Sequence, residues 1–341
     1  MTQSHMAREV LEIPVAAARF LSGSGDAVRS AARALRNSDP RVIATVARGS
    51  SDHAATYLKY AIELQMGVPV ASVGPSVASI YKRPLRLKDG VCIGISQSGR
   101  SPDLVDMMRT AGAGGALSLA ITNHADSPLA QASEHCLALQ AGAEQSVAAT
   151  KTFVTSVMAG LALLAEWSED DALRRAVTDL PDAFSQAVAL DWSPLSARLA
   201  RASQAYVLGR GPGFAIASEA ALKFKETSGI HAEAYSAAEV LHGPSAIVQA
   251  HFPVLALGLD DMALPQVKAT AERLAAQGAD VFLTGADATG ATRLPSVPDL
   301  HPLVAPLVMS ASFYAFVEAL ARRRGFDPDT PPHLRKVTET V

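Results

Sequence analysis

The chain has 341 residues, 49% hydrophobic and 18% charged, with 30 Lys and Arg against 33 Asp and Glu for a formal net charge of −3. This is globular composition, neither disordered nor fibrous, in a chain long enough for two domains or one large one with a self-sufficient core. The near balance of charge, with no block of one sign, argues against nucleic acid or a membrane surface as a partner.

Residues 1–8 lack the apolar core of a signal peptide. The longest mostly apolar stretch, 153–167, contains Thr155, Ser156 and Glu166 and is too short to span a bilayer. Cys92 and Cys136 are too few for a disulfide framework and lack metal-ligand spacing, so a reducing cytoplasm is expected and no metal.

In chain order, a helix is expected over 6–22, followed by a short apolar strand at 42–47 that runs into Arg48-Gly49-Ser50-Ser51. A helix-like stretch over 54–65, a strand at 91–95, a helix over 104–111 and a strand at 119–122 come next. The same series returns 162 positions later. Arg210-Gly211 falls on Arg48-Gly49, residues 253–257 on 91–95, and 281–284 on 119–122, with helix-like stretches at 215–225 and 266–277 between them. Strand, Gly/Ser loop, helix, strand, built twice, predicts an α/β protein of two tandem doubly wound (flavodoxin-like) parallel-sheet domains with helices on both faces. The expected divisions are an N-terminal helical segment 1–35, a first domain 36–185, a second domain 186–326 and a tail 327–341.

In an open parallel sheet, ligands sit beyond the carboxyl ends of the strands. The loop there in the first half is Ser96-Gln97-Ser98-Gly99-Arg100-Ser101-Pro102-Asp103. Ser101 is placed to cap a helix, Pro102 suits its first position, and Asp103 suits its first turn. An ordinary capped loop would explain Ser, Gly and Pro. Four hydroxyl or amide side chains within six residues exceed what capping needs, and they suit a phosphate monoester at a helix N-terminus. Ser50 and Ser51 add hydroxyls from the first strand's end. The matching loop of the second half, Gly258-Leu259-Asp260-Asp261, carries two carboxylates that repel phosphate, so one phosphate site per chain is expected. Gly209-Arg210-Gly211-Pro212-Gly213-Phe214 misses the third glycine of a dinucleotide fingerprint, which argues against a nicotinamide cofactor.

The helix predicted over 215–227 puts Glu219, Lys223 and Glu226 on one face. Glu226 lies near its C-terminus, where the dipole disfavours a carboxylate's charge, as a general base requires. His242, before Gly243-Pro244, is held on a turn and is suited to proton transfer. Such a Glu–Lys pair is also the ordinary composition of a solvated helix face, and spacing alone leaves both readings open.

These motifs together resemble the sugar isomerase (SIS) family, and in particular the isomerase half of glucosamine-6-phosphate synthase. The resemblance runs through 6–14, Arg48-Gly49-Ser50-Ser51, Ser96-Gln97-Ser98-Gly99, Val147-Ala148-Ala149-Thr150-Lys151, 219–226, 231–235, His242-Gly243-Pro244 and Leu334-Arg335-Lys336-Val337-Thr338. It implies that Ser51, Ser96, Gln97, Ser98 and Ser101 contact a sugar phosphate, and that the Val147 backbone contacts the sugar. It further implies that His242 opens the pyranose ring, Glu226 moves a proton between C1 and C2 with Lys223 beside it, and Lys336 closes the site. The chain departs from the family pattern with Arg100 for a Glu, Ser101 for a Thr, Arg48 for a Cys and Ile13 for a Gln. The two arginines are expected to bring positive charge near the phosphate.

The family synthase supplies ammonia from a glutaminase domain with a terminal cysteine, which this sequence does not display. The resemblance therefore implies glucosamine-6-phosphate deaminase activity, giving fructose 6-phosphate and ammonia without a cofactor. It also implies a homodimer in which His242 serves the neighbouring subunit. The alternatives are a deaminase, isomerase or deglycase for another sugar phosphate, such as galactosamine 6-phosphate or a fructosyl-amine phosphate, and a non-catalytic sugar-phosphate-binding regulator.

Overall fold

The computed structural model of the chain describes residues 3–336. It contains two five-stranded parallel sheets. The first is built from β1 (Ile43–Val46), β2 (Val70–Ser72), β3 (Val91–Ile95), β4 (Leu117–Thr122) and β5 (His135–Ala138), in the order β2-β1-β3-β4-β5. The second is built from β6 (Gln204–Gly209), β7 (His231–Ser236), β8 (Pro253–Ala256), β9 (Asp280–Leu283) and β10 (Ala291–Arg293), in the order β7-β6-β8-β9-β10. The two orders are the same order, and both are doubly wound, as the repeated pattern predicts.

The spacing of 162 holds at the start of each sheet. Ala44 pairs with Cys92 in the first, and Tyr206 with Val254 in the second. It then slips by one residue. Cys92 pairs with Ser118, whereas Val254 pairs with Val281, one position beyond the gapless match.

The helices after the first strand of each sheet, α1 (Ser50–Met66) and α4 (Pro212–Ser228), correspond almost turn for turn. Each has 17 residues, follows a glycine with φ 55 (Gly49, ψ −134; Gly211, ψ −135), and stops at a left-handed glycine, Gly67 or Gly229. That backbone at Gly49 and Gly211 is closed to L side chains, so glycine is what lets the chain turn directly from strand to helix. Three further helices matter below: α2 (Pro102–Ala113), α3 (Lys151–Trp167) and α5 (Leu264–Ala276), with α6 (Ala305–Arg323) closing the second half. The helix expected over 6–22 is two helices, His5–Leu11 and Ile13–Gly23, with Glu12 as the C-cap of the first and Pro14 in the opening turn of the second. Among the described residues, no helix is long and apolar enough to cross a membrane.

Contacts divide the chain into two units that interleave in sequence. Among the described residues, the first comprises Ile13–Glu144, Lys151–Pro181 and 335–336; the second comprises 3–12, Gln145–Thr150 and Asp182–Leu334. The core of the first includes Val46, Cys92, Leu104, Met108 and Ala120 between β3, β4 and α2. The core of the second includes Leu208, Val254, Val267, Leu274 and Val281 between β6, β8, β9 and α5. Glu9 explains why the N-terminal segment belongs to the second unit. Its buried carboxylate accepts the backbone N–H groups of Gln145 and Ser146, while the N–H groups of His5 and Met6 donate to Asp329.

Candidate active site

The first unit carries the serine loop. It leaves β3 at Ile95 and enters α2 at Pro102. The Ser96 N–H donates to the Ile121 carbonyl, and the Gln97 carbonyl accepts from the Asn123 N–H, which pins the loop to the end of β4. Within the loop, the Gly99 N–H donates to Ser96 Oγ at 3.1 Å and the Arg100 N–H to Ser98 Oγ at 3.3 Å. Gly99 is required twice over. Its φ is +63, and a Cβ there would stand 2.1 Å from Ser127 Oγ.

Ser101 occupies the position before α2, as expected, yet its hydroxyl makes no capping bond. The hydroxyl is left for some other partner, while within the first turn of α2 the Leu104 N–H donates to Asp103 Oδ1 at 2.9 Å. Ser51 lies in the first turn of α1 and is half-buried. Burial holds the neighbouring Asp52 carboxyl above its ordinary range, with His53 and Arg48 pulling the other way.

The structure revises the role expected of Arg48. Its guanidinium holds the fully buried Asp103 carboxylate at 2.5 Å and 2.7 Å. A carboxylate deprived of water needs such a partner, so Arg48 balances Asp103 within the loop's own support while 45% of its side chain stays exposed. Arg100 is exposed.

Lys336 is also placed in the first unit. Its Nζ donates to Glu144 Oε2 at 3.1 Å, and the same buried carboxylate takes the hydroxyl of Thr152 at 2.5 Å and its N–H at 3.1 Å. Glu144 thus ties the tail lysine to the start of α3.

The second unit carries the proton-transfer candidates. On α4, Lys223 is fully buried, with its Nζ 2.6 Å from Glu226 Oε2 and 3.2 Å from Glu219 Oε1. Glu219 is buried as well and accepts from the Tyr314 hydroxyl at 2.9 Å. This is not the solvated helix face that the spacing left open. Burial disfavours the charge of Lys223, but the two carboxylates outweigh it and hold the ammonium's pKa above its ordinary value. Glu226 is the outermost of the chain Tyr314–Glu219–Lys223–Glu226, with a fifth of its side chain exposed. A carboxylate fixed by an ammonium on one side and open on the other is arranged to take a proton from a bound molecule.

His242 ends the short 3-10 turn Glu239–Leu241, before Gly243 with φ 133. Its ring is exposed and has no hydrogen-bond partner among the described residues. Val147 lies in the short Gln145–Thr150 segment and donates its N–H to the Asp329 carbonyl. The structure therefore gathers Ser51, Ser96, Gln97, Ser98, Ser101 and Lys336 in one unit, and Val147, Lys223, Glu226 and His242 in the other. The spacing of Glu219 was readable as part of one helix face. Asp103 was readable only as a first-turn residue, and its pairing with Arg48, like the roles of Tyr314 and Glu144, carried no signal, because each meets its partner only through the fold.

Two sheets of one strand order, each with a Gly-led helix after its first strand, define a duplicated α/β domain. The SIS domain model matches residues 36–166 and 198–295, and the chain belongs to this family. Among the proteins it resembles, glutamine–fructose-6-phosphate aminotransferase (isomerizing) of Symbiobacterium thermophilum is 33% identical over 97% of this chain, and that of Zymomonas mobilis 30% over 97%. The chain spans 58% of the length of each. Among solved structures, a Silicibacter pomeroyi protein provisionally named a phosphosugar isomerase is 51% identical with TM-score 0.93, covering 96% of this chain and all of that one. The C-terminal domain of glucosamine-fructose-6-phosphate aminotransferase from Francisella tularensis is 26% identical with TM-score 0.84, covering 97% and 99%. Glucosamine-6-phosphate deaminase of Thermotoga maritima, at 21% identity and TM-score 0.80, shares the fold.

Proposed function

We propose that the protein is an amino-sugar-phosphate deaminase acting on glucosamine 6-phosphate, with fructose 6-phosphate and ammonia as products. The observation that carries this reading is the buried Lys223 held between Glu219 and Glu226. It keeps the Glu226 carboxylate oriented and open on one side, which is what proton transfer between adjacent carbons requires.

The serine loop takes the phosphate through the hydroxyls of Ser51, Ser96, Ser98 and Ser101, the Gln97 amide and the N-terminal end of α2. His242 moves a proton from the C1 hydroxyl to the ring oxygen, and the pyranose opens to the aldehyde. Glu226 then removes the C2 proton, the electrons pass to the carbonyl oxygen, that oxygen takes a proton from the substrate's own C2 ammonium group, and the 2-amino aldehyde becomes an enolamine. Glu226 returns the proton to C1, leaving a C1 alcohol and a C2 imine. Water adds to C2 and ammonia departs, giving the ketone. The Val147 backbone contacts the sugar, and Lys336 closes over it from the chain's end. Every step is acid–base chemistry that these side chains supply themselves.

The exposed ring of His242, unengaged among the described residues, fits a histidine that serves a second copy of the chain. A homodimer is therefore part of the proposal. Mixing Glu226→Gln chains with His242→Ala chains is expected to restore activity that neither has alone.

The proposal is tested by supplying glucosamine 6-phosphate to the purified protein and measuring both products. Equal amounts of ammonia and fructose 6-phosphate are expected. Interconversion of a sugar phosphate without ammonia would replace the deaminase with an aldose–ketose isomerase. Release from galactosamine 6-phosphate alone would change the substrate. Tight binding with no turnover of any of these sugars would indicate a regulator.

A further inference from the structure

Within the first unit, Lys336 is tied to the serine loop through a continuous series of bonds. The Gln97 carbonyl accepts the Asn123 N–H just after β4. The Asn123 side chain in turn fastens the stretch that follows β5. Its Oδ1 accepts the Ala141 N–H at 3.0 Å, and its Nδ2 donates to the Gly142 carbonyl at 2.8 Å. Arg19 clamps the same stretch by donating to the carbonyls of Gln140 and Ala141. Two residues further on stands Glu144, which accepts from Lys336 Nζ.

The Glu144 side chain is wholly buried, whereas that of Lys336 keeps a quarter of its surface exposed. Glu144 also accepts the N–H and hydroxyl of Thr152, in the first turn of α3. A buried carboxylate held at a helix start by two such donors is a fixed anion. The lysine is the partner that comes to it from the tail. Neither the phosphate contacts nor the proton transfers proposed above make use of Glu144.

We infer that Glu144 is a positioning residue. It captures the ammonium of Lys336 and sets the tail lysine in register with the serine loop, so that both meet one bound sugar phosphate. For its ligand the inference rests on the sugar-phosphate reading above; for its geometry it rests on the bonds just described. A long lysine side chain already oriented by a fixed carboxylate gives up less freedom to a ligand than one that must be ordered on binding.

The test sets charge against shape at position 144 in the full chain. Glu144→Gln keeps the shape and removes the charge; Glu144→Asp keeps the charge and withdraws it by one methylene, which a lysine side chain can follow. Acetylation of Lys336 by an amine-reactive ester, read by mass spectrometry against the exposed Lys82, reports the capture with no substrate present. In the wild type Lys336 is expected to react at least about tenfold more slowly than Lys82, with the protection lost in Glu144→Gln and partly kept in Glu144→Asp. With glucosamine 6-phosphate, kcat/KM for ammonia release should fall about tenfold in Glu144→Gln and in Lys336→Met, and no further in the double variant. Glu144→Asp should retain more activity than Glu144→Gln, the reverse of what a purely structural role would give. Acetylation of Lys336 as fast as Lys82 in the wild type, protection unchanged in Glu144→Gln, losses that multiply in the double variant, or Glu144→Asp faring worse than Glu144→Gln would each overturn the inference. Absence of ammonia from the wild type would overturn the deaminase reading instead. The acetylation rates, and the same cycle read on affinity for glucosamine 6-phosphate, would still decide the role of Glu144.

Discussion

The two halves of this chain hold the same sheet and nearly the same first helix, and they place their buried charge in different positions. In the first, the buried carboxylate beside the serine loop is Asp103 at the start of α2, paired with Arg48. In the second, the buried charges lie along α4, where Glu219, Lys223 and Glu226 share one face. After β3 the chain offers hydroxyls; after β8 it offers carboxylates, of which Asp261 accepts the Ala263 N–H just ahead of α5. Under the function proposed above, one duplicated scaffold would serve anion binding in one copy and proton transfer in the other, with side chains at a few strand ends and on one helix face deciding the chemistry.

The largest effect expected from breaking this division is at Glu226. Glu226→Gln keeps the shape and removes the base, and ammonia release should fall by about 10²–10⁴-fold. Lys223→Met comes next. It leaves the buried Glu219 without its counter-charge, and chemical denaturation should register a loss of about 3–5 kcal/mol. Because the folded pKa of Lys223 is raised, its ion pairs stabilise the protein fully below the ordinary lysine pKa and cease to do so as pH rises through the higher folded value. The wild type should therefore lose stability on the alkaline side with a slope that Lys223→Met lacks. In the first half, Gly99→Ala should cost about 1–3 kcal/mol and raise KM for the phosphorylated sugar, since the methyl group meets Ser127. Asp261→Ala, the matching change in the second half, removes only a short turn and should leave KM unaltered.

Much of this was legible in the sequence, and for physical reasons. Apolar runs of strand length recur at one spacing, so the duplication could be read before any contact was known. The hydroxyls of the serine loop are neighbours in sequence, and so are the three charges of α4. Other parts depend on distant partners. Tyr314 reaches Glu219 from α6, Arg48 reaches Asp103 from the end of β1, and Lys336 reaches Glu144 from near the other end of the chain. The slip at β9 is also invisible in a gapless match, because one added residue ahead of a strand leaves its apolar pattern intact.

Smaller effects sharpen the same comparison. Tyr314→Phe keeps the ring beside Phe313 and removes one bond to Glu219, so about 1 kcal/mol of stability and a modest shift of the pH–rate profile are expected. The smallest effect is at Cys92. Burial pushes its thiol up to about 12, and a thiol reagent at neutral pH should leave the native protein unlabelled there.

The most direct test of the division of labour separates binding from turnover in one pair of variants. Glucosamine 6-phosphate affinity and ammonia release would be measured for Ser98→Ala and Glu226→Gln. The account predicts that Glu226→Gln binds the sugar as the wild type does and releases almost no ammonia, while Ser98→Ala binds weakly and turns over what it binds. Near-normal ammonia release by Glu226→Gln would contradict it.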